Sequence, residues 1–128
     1  AKVREILQVF ELHVELVVRR MFGAAFFNAP LTDEAKAEIR KDLDKGLRAF
    51  NHLAKFDPYV AGSEYTLADC ALAVHLPLLS MATKAVLGED ILTRIPKSAE
   101  YLEMIAKRPA VAQVYADRDV AMAAMFKR

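Results

Sequence analysis

The sequence predicts an all-α protein, a bundle of about five main helices forming a single helical domain over residues 1–128. Three observations carry that prediction. Apolar residues recur at steps of three and four in one segment after another. Val and Ile alternate nowhere in a strand pattern. The segments are punctuated by residues that start and stop helices, notably Thr32, Thr66, Gly88, Pro96 and Pro109. A chain of 128 residues is the size of one domain and can bury a core without disulfides or metals.

Residues 2–27 read as one long helix. Val3, Ile6/Leu7, Phe10, Val14, Val17 and Met21 form its apolar stripe, and Arg4, Gln8, Glu11, Glu15 and Arg19 follow the same period on the opposite side. Asn28-Ala29-Pro30 breaks it. Thr32 suits the N-cap of a second helix, with Asp33 and Glu34 in the first turn, where the helix dipole favours negative charge. Ile39, Leu43, Gly46/Leu47, Phe50 and Leu53/Ala54 make its stripe, and Pro58 cannot continue it.

Tyr59 to Gly62 reads as a short extended connection. Thr66 and Asp69 then form a capping box with Asp in the place of the usual Glu, and Tyr65 can staple onto Cys70. The helix that follows runs from Leu67 to Leu87. Pro77 inside it removes one backbone hydrogen bond, so a kink near Val74–Leu76 is expected. Gly88 suits the stop, and a short turn is expected near Glu89–Thr93. Ile95-Pro96 should open a further helix with Pro at its first position, running to Lys107. Arg108-Pro109 repeats the device for a last helix from Ala110 to about Met125.

Composition narrows the function. Hydrophobic residues make up 55% of the chain and charged residues 27%, a globular balance. The formal net charge of +1 gives no case for nucleic acid. One Cys allows no internal disulfide framework and no Cys-based zinc site, and suits a reducing, cytoplasmic setting. The early charges Lys2, Arg4, Glu5 and Glu11 do not suit a signal peptide, and no run of about 18 apolar residues suggests a membrane span.

Catalytic patterns are scarce. His13, His52 and His75 form no metal-ligand spacing, so neither a metal nor a catalytic residue is assigned. Cys70 falls on the expected buried face, where a thiol is a core residue rather than a nucleophile. His75 reads as a satisfied core histidine, and Asp69 as a capping group rather than an acid or base. The first helix is more informative. On an ideal helix, His13 and Arg20 share a side with Val9 and Leu16, away from the solvated stripe. Polar groups interleaved with apolar ones suit a ligand cleft. They also suit long side chains that border a core and reach out to water.

Tyr59-Val60-Ala61-Gly62 followed by Tyr65-Thr66-Leu67-Ala68-Asp69 resembles the glutathione S-transferase family, which has this turn and Thr-x-x-Asp cap before a buried central helix. Ala106-Lys107-Arg108-Pro109-Ala110-Val111, about forty residues later, resembles a second landmark of that family. The resemblance covers essentially the whole chain and implies the family's all-helical C-terminal domain. It implies a thioredoxin-like N-terminal domain as partner, binding the co-substrate glutathione and carrying the thiol-activating residue. It further implies a hydrophobic electrophile as second substrate, contacted by Val9, His13, Leu16 and Arg20, and a homodimer. Thr66 and Asp69, with Tyr65, carry over as the folding cap. The start at Ala1, without Met, reads as a cut between the two domains. Two other readings are a non-catalytic helical protein-interaction module and a ligand-binding domain of a regulator, although no basic recognition helix accompanies the latter.

Overall fold

The computed structural model describes residues 1–126. The described residues are helical, with a single isolated bridge between Tyr59 and Gly62 and no strand. The helices are α1 (Lys2–Phe10), α2 (Leu16–Arg19), α3 (Phe22–Phe27), α4 (Asp33–Leu53), α5 (Leu67–Leu87), α6 (Ser98–Ile105) and α7 (Pro109–Phe126). A π-helical turn, Glu11–Glu15, joins α1 to α2, and a 3₁₀ turn, Ile91–Arg94, precedes α6. The all-α architecture is the one that the periodicity predicts.

The core lies where α1, α2 and α4 meet α5. Phe10, Val14, Val18, Met21, Leu47, Phe50, Leu72, Leu76 and Leu79 are all buried there. Each such side chain contributes about 1.5–3 kcal/mol by leaving water. A file of rings runs through the middle. Phe10 and Phe50 lie 5.5 Å apart between centroids, Phe50 and Phe56 6.3 Å, and Phe56 and Tyr101 4.9 Å. These distances suit tilted and edge-to-face contacts.

Helix α5 is long and apolar enough, by length and composition alone, to cross a membrane, which corrects the expectation that no such segment exists. One side of it is used within the chain, while Leu67, Val74 and Met81 are exposed. Ala68, Leu72, Ala73, Leu76, Leu79 and Ala82 are buried against the surrounding helices. A central helix is apolar all round for the same physical reason as a membrane span.

The cap of α5 is closed. The Thr66 N–H donates to Asp69 Oδ2 at 2.8 Å, and the Thr66 hydroxyl also faces this carboxylate at 3.4 Å. The Asp69 N–H in turn meets the Thr66 carbonyl at 3.0 Å. The carboxylate does more than cap. Asp69 Oδ1 accepts the Val60 N–H at 3.0 Å and the Tyr101 hydroxyl at 2.6 Å. One buried side chain thus ties together the loop before α5, the start of α5, and α6. The loop is itself a tight turn rather than an extended connection: the Tyr59 N–H donates to Gly62 O and the Gly62 N–H returns to Tyr59 O, at 2.9 and 3.1 Å. The Tyr65 staple meets its partner, with the Cys70 thiol donating to the Tyr65 hydroxyl at 3.5 Å.

Four further expectations are corrected. Residues 2–27 are not one uniform helix, because the π turn interrupts α1–α2 and Met21 (φ −104°, ψ 5°) leaves helical geometry before α3. Glu15 is buried rather than on the solvated stripe. Cys70 is exposed, since α7 covers that side of α5 only partly. Helix α6 begins at Ser98, not at Pro96. Lys97 adopts a left-handed conformation (φ +67°) that ends any helix begun at Pro96, and the Ser98 hydroxyl turns back to Leu92 O at 3.0 Å. Elsewhere the punctuation holds: Thr32 Oγ1 accepts the Ala35 N–H, Gly88 closes α5 at φ +69°, and Pro109 opens α7.

The π turn has a counterpart on α4. A Cβ built on Gly46 would lie 1.8 Å from the His13 carbonyl oxygen. Only glycine lets the widened turn approach α4 so closely, despite its cost of about 1 kcal/mol inside a helix.

Three outcomes follow from this framework. Asp69→Ala should cost about 3 kcal/mol, because it orphans buried donors on three segments, as read from urea unfolding. A loss below about 0.5 kcal/mol, the floor for a simple cap, would refute the tying role. Gly46→Ala should cost about 1–3 kcal/mol by overpacking, and an unchanged melting temperature would contradict the close approach. Burial, helped by the hydrogen bond with Cys70, pushes the Tyr65 hydroxyl up to about 12. Tyr101 is raised too, first by burial and then by its bond to Asp69. Raised folded values favour the protonated form, so this stability is complete below the ordinary tyrosine value of about 10 and is lost as pH climbs above it, for Tyr65 through about 12. Phenolate absorbance followed alongside circular dichroism should show these two rings titrating late, with unfolding.

Candidate functional site

The first-helix residues singled out by sequence lie on two sides of the helix rather than one. Val9 is half-buried in an open groove between α1 and α4, beside Glu5, Lys45, Ala49, His52 and Leu53. His13 is exposed at the π turn, with its backbone against Gly46. Arg20 also leans towards α4, where its guanidinium donates to Asp42 Oδ2 at 2.7 Å. That hydrogen bond holds the Asp42 carboxyl below the usual carboxylate range. Both partners are largely exposed, so the pair adds little to stability.

Leu16 departs from this group. A π turn closes i to i+5 and acts as one inserted residue, displacing everything beyond it by about 100° relative to an ideal helix. The side that carries Val9 and His13 therefore continues through Val17, which is buried, while Leu16 comes round beside Leu12. Leu12 is 56% exposed and Leu16 45%, one helical turn apart. Together they form an apolar ledge, of which an ideal-helix reading finds only half.

The residue that sequence reasoning missed is Glu15. It is only 3% exposed, yet it carries a carboxylate. Arg19 satisfies both oxygens from one turn on, Nη2 lying 2.8 Å from each and Nε 3.1 Å from Oε1. On α5, His75 Nδ1 faces the same carboxylate at 3.8 Å, with its ring 6.2 Å from that of Phe10. A buried carboxylate needs such partners, since an unpaired one costs several kcal/mol. The Glu15/Arg19 spacing of four was legible as a helical pair. Its inward direction was not, because the π turn sets it.

A second concave region lies between α5 and α7. Tyr65, Cys70, Ala73, Val74, Val111 and Val114 line an apolar cleft of about 140 Å³. The Arg108 guanidinium sits 3.9 Å over the Tyr65 ring at its mouth and donates to the Tyr59 hydroxyl at 3.1 Å. The Cys70 thiol donates to the Tyr65 hydroxyl at 3.5 Å. Among the described residues, no three His, Cys, Asp or Glu side chains converge as a metal site would require. The chain thus presents two apolar surfaces, a ledge of Leu12 and Leu16 on the first helix and a cleft beneath α7.

Comparison with known proteins agrees with this helical frame. Residues 33–116, from the start of α4 into α7, match the family model described as glutathione S-transferase, C-terminal domain. Over 127 residues the chain is 33% identical to a glutathione S-transferase of Pseudomonas putida strain F1, an alignment that takes in 99% of this chain and 58% of that relative. The chain therefore spans little more than half the relative's length. The capped central helix, the bundle around it and these two matches agree, and the chain belongs to the glutathione S-transferase family.

Proposed function

We propose that this chain is the co-substrate-binding and dimerisation domain of a cytoplasmic glutathione transferase, whose thioredoxin-like N-terminal domain binds glutathione and activates its thiol. The supporting observation is the Leu12–Leu16 ledge. Two large apolar side chains stand in water on the helix where the family resemblance places the electrophile. Glu15 and Arg19, paired with each other, flank Leu16 along the chain, and His75 faces Glu15. An apolar surface bordered by a few polar groups suits a hydrophobic electrophile. Conjugation joins the glutathione sulfur to the electrophilic carbon, with loss of the thiol proton and, in a substitution, of the leaving group. In this reading the domain holds the electrophile and supplies no base.

The test uses the whole transferase. Leu12→Ala and Leu16→Ala should each alter the ratio of kcat/KM between a large and a small aromatic electrophile by about tenfold or more, the effect of removing apolar pocket contact. KM for glutathione should not change. Unaltered preference in both variants would overturn the site. A conjugation rate well above buffer from the chain alone would overturn the division of labour.

A further inference from the structure

Pro77 has no N–H, so the carbonyl of Ala73, four residues earlier, loses its helical donor. Ala73 is buried, and an unsatisfied carbonyl there would cost about 1–3 kcal/mol. Helix α5 nevertheless runs unbroken from Leu67 to Leu87. The missing donor comes from another helix: the Tyr115 hydroxyl of α7 donates to Ala73 O at 2.8 Å. At the next carbonyl along, Arg118 Nη2 donates to Val74 O.

Little else holds α7 down. Among its described side chains only Val111 is buried, and Val114, Val120 and Met125 are exposed. Its first turn is pinned separately, because Arg108 stacks on Tyr65 and bonds to Tyr59 just before Pro109. A helix pinned at one end, held at its middle by two polar bonds and lightly packed beyond them has the build of a hinged strap. Beneath it lies the apolar cleft of Cys70, Val74, Val111 and Val114.

We propose that the proline-freed carbonyl of Ala73 is a latch, and that α7 opens and closes over the α5–α7 cleft as a unit, pivoting at Arg108-Pro109. The latch sits within the helical domain and does not depend on which electrophile the first helix contacts. Pro77 is then a functional part of the device, since a residue with an N–H would satisfy Ala73 from within α5 and leave Tyr115 competing for a carbonyl already bonded.

Hydrogen exchange on the intact protein, resolved by segment, tests this. Tyr115→Phe should speed exchange in residues 109–126 by about tenfold, the loss of one net hydrogen bond, and leave α1 and α4 unchanged. In a Pro77→Ala background the same substitution should change it by less than about threefold. Arg118→Met should loosen the same segment, and it serves as the measurement if Tyr115→Phe does not fold. An equal effect of Tyr115→Phe in both backgrounds would overturn the link to Pro77. Unchanged α7 protection, or a uniform rise across all helices, would overturn the strap.

Discussion

The structure depends first on one buried carboxylate. Asp69 accepts hydrogen bonds from Thr66 at the start of α5, from Val60 in the loop before it, and from Tyr101 in α6. Those groups, from Val60 to Tyr101, lie up to 41 residues apart, and all must be in place before the carboxylate can be taken out of water. Burial of such a group is unfavourable unless its partners arrive together. The node therefore makes the loop, the cap and the docking of α6 one cooperative unit. The apolar central helix can then be aligned by a polar contact rather than by packing alone.

A second constraint shapes the candidate site. The π turn at Glu11–Glu15 is accommodated because Gly46 lets α4 come against the His13 backbone. The widened turn sends Glu15 inwards, where Arg19 satisfies it and His75 faces it, and brings Leu16 out beside Leu12. A local departure from α-helical geometry thus decides which side chains a ligand on the first helix would meet. Pro77 plays a comparable part in α5. There the departure is a missing donor, and the answer is a hydroxyl from α7. In both places an irregularity in one helix is matched by a specific residue on another.

Much of this was legible beforehand. Thr32 and Gly88 act through the backbone of their own turns, and Thr66 and Asp69 sit three residues apart, so a linear reading finds them. The stripe Phe10, Val14, Met21 and the stripe Leu43, Leu47, Phe50 are buried as their periodicity requires. The readings that changed turned on contacts that helical periodicity does not encode. Cys70 is exposed because α7 covers its side of α5 incompletely, and helix α6 starts late because Ser98 bonds back to Leu92.

By itself, then, the sequence determined the all-α class, the helix punctuation, most of the core and the family resemblance, because caps and amphipathic stripes are encoded within a few residues of one another. The tertiary structure alone decided three things. It made Asp69 a junction for α6 as well as a cap, turned Glu15 inwards and Leu16 outwards, and recruited Tyr115 to the carbonyl that Pro77 leaves free. Each involves a buried polar group or a change of register resolved by a residue far along the chain, and local periodicity carries no information about such partners.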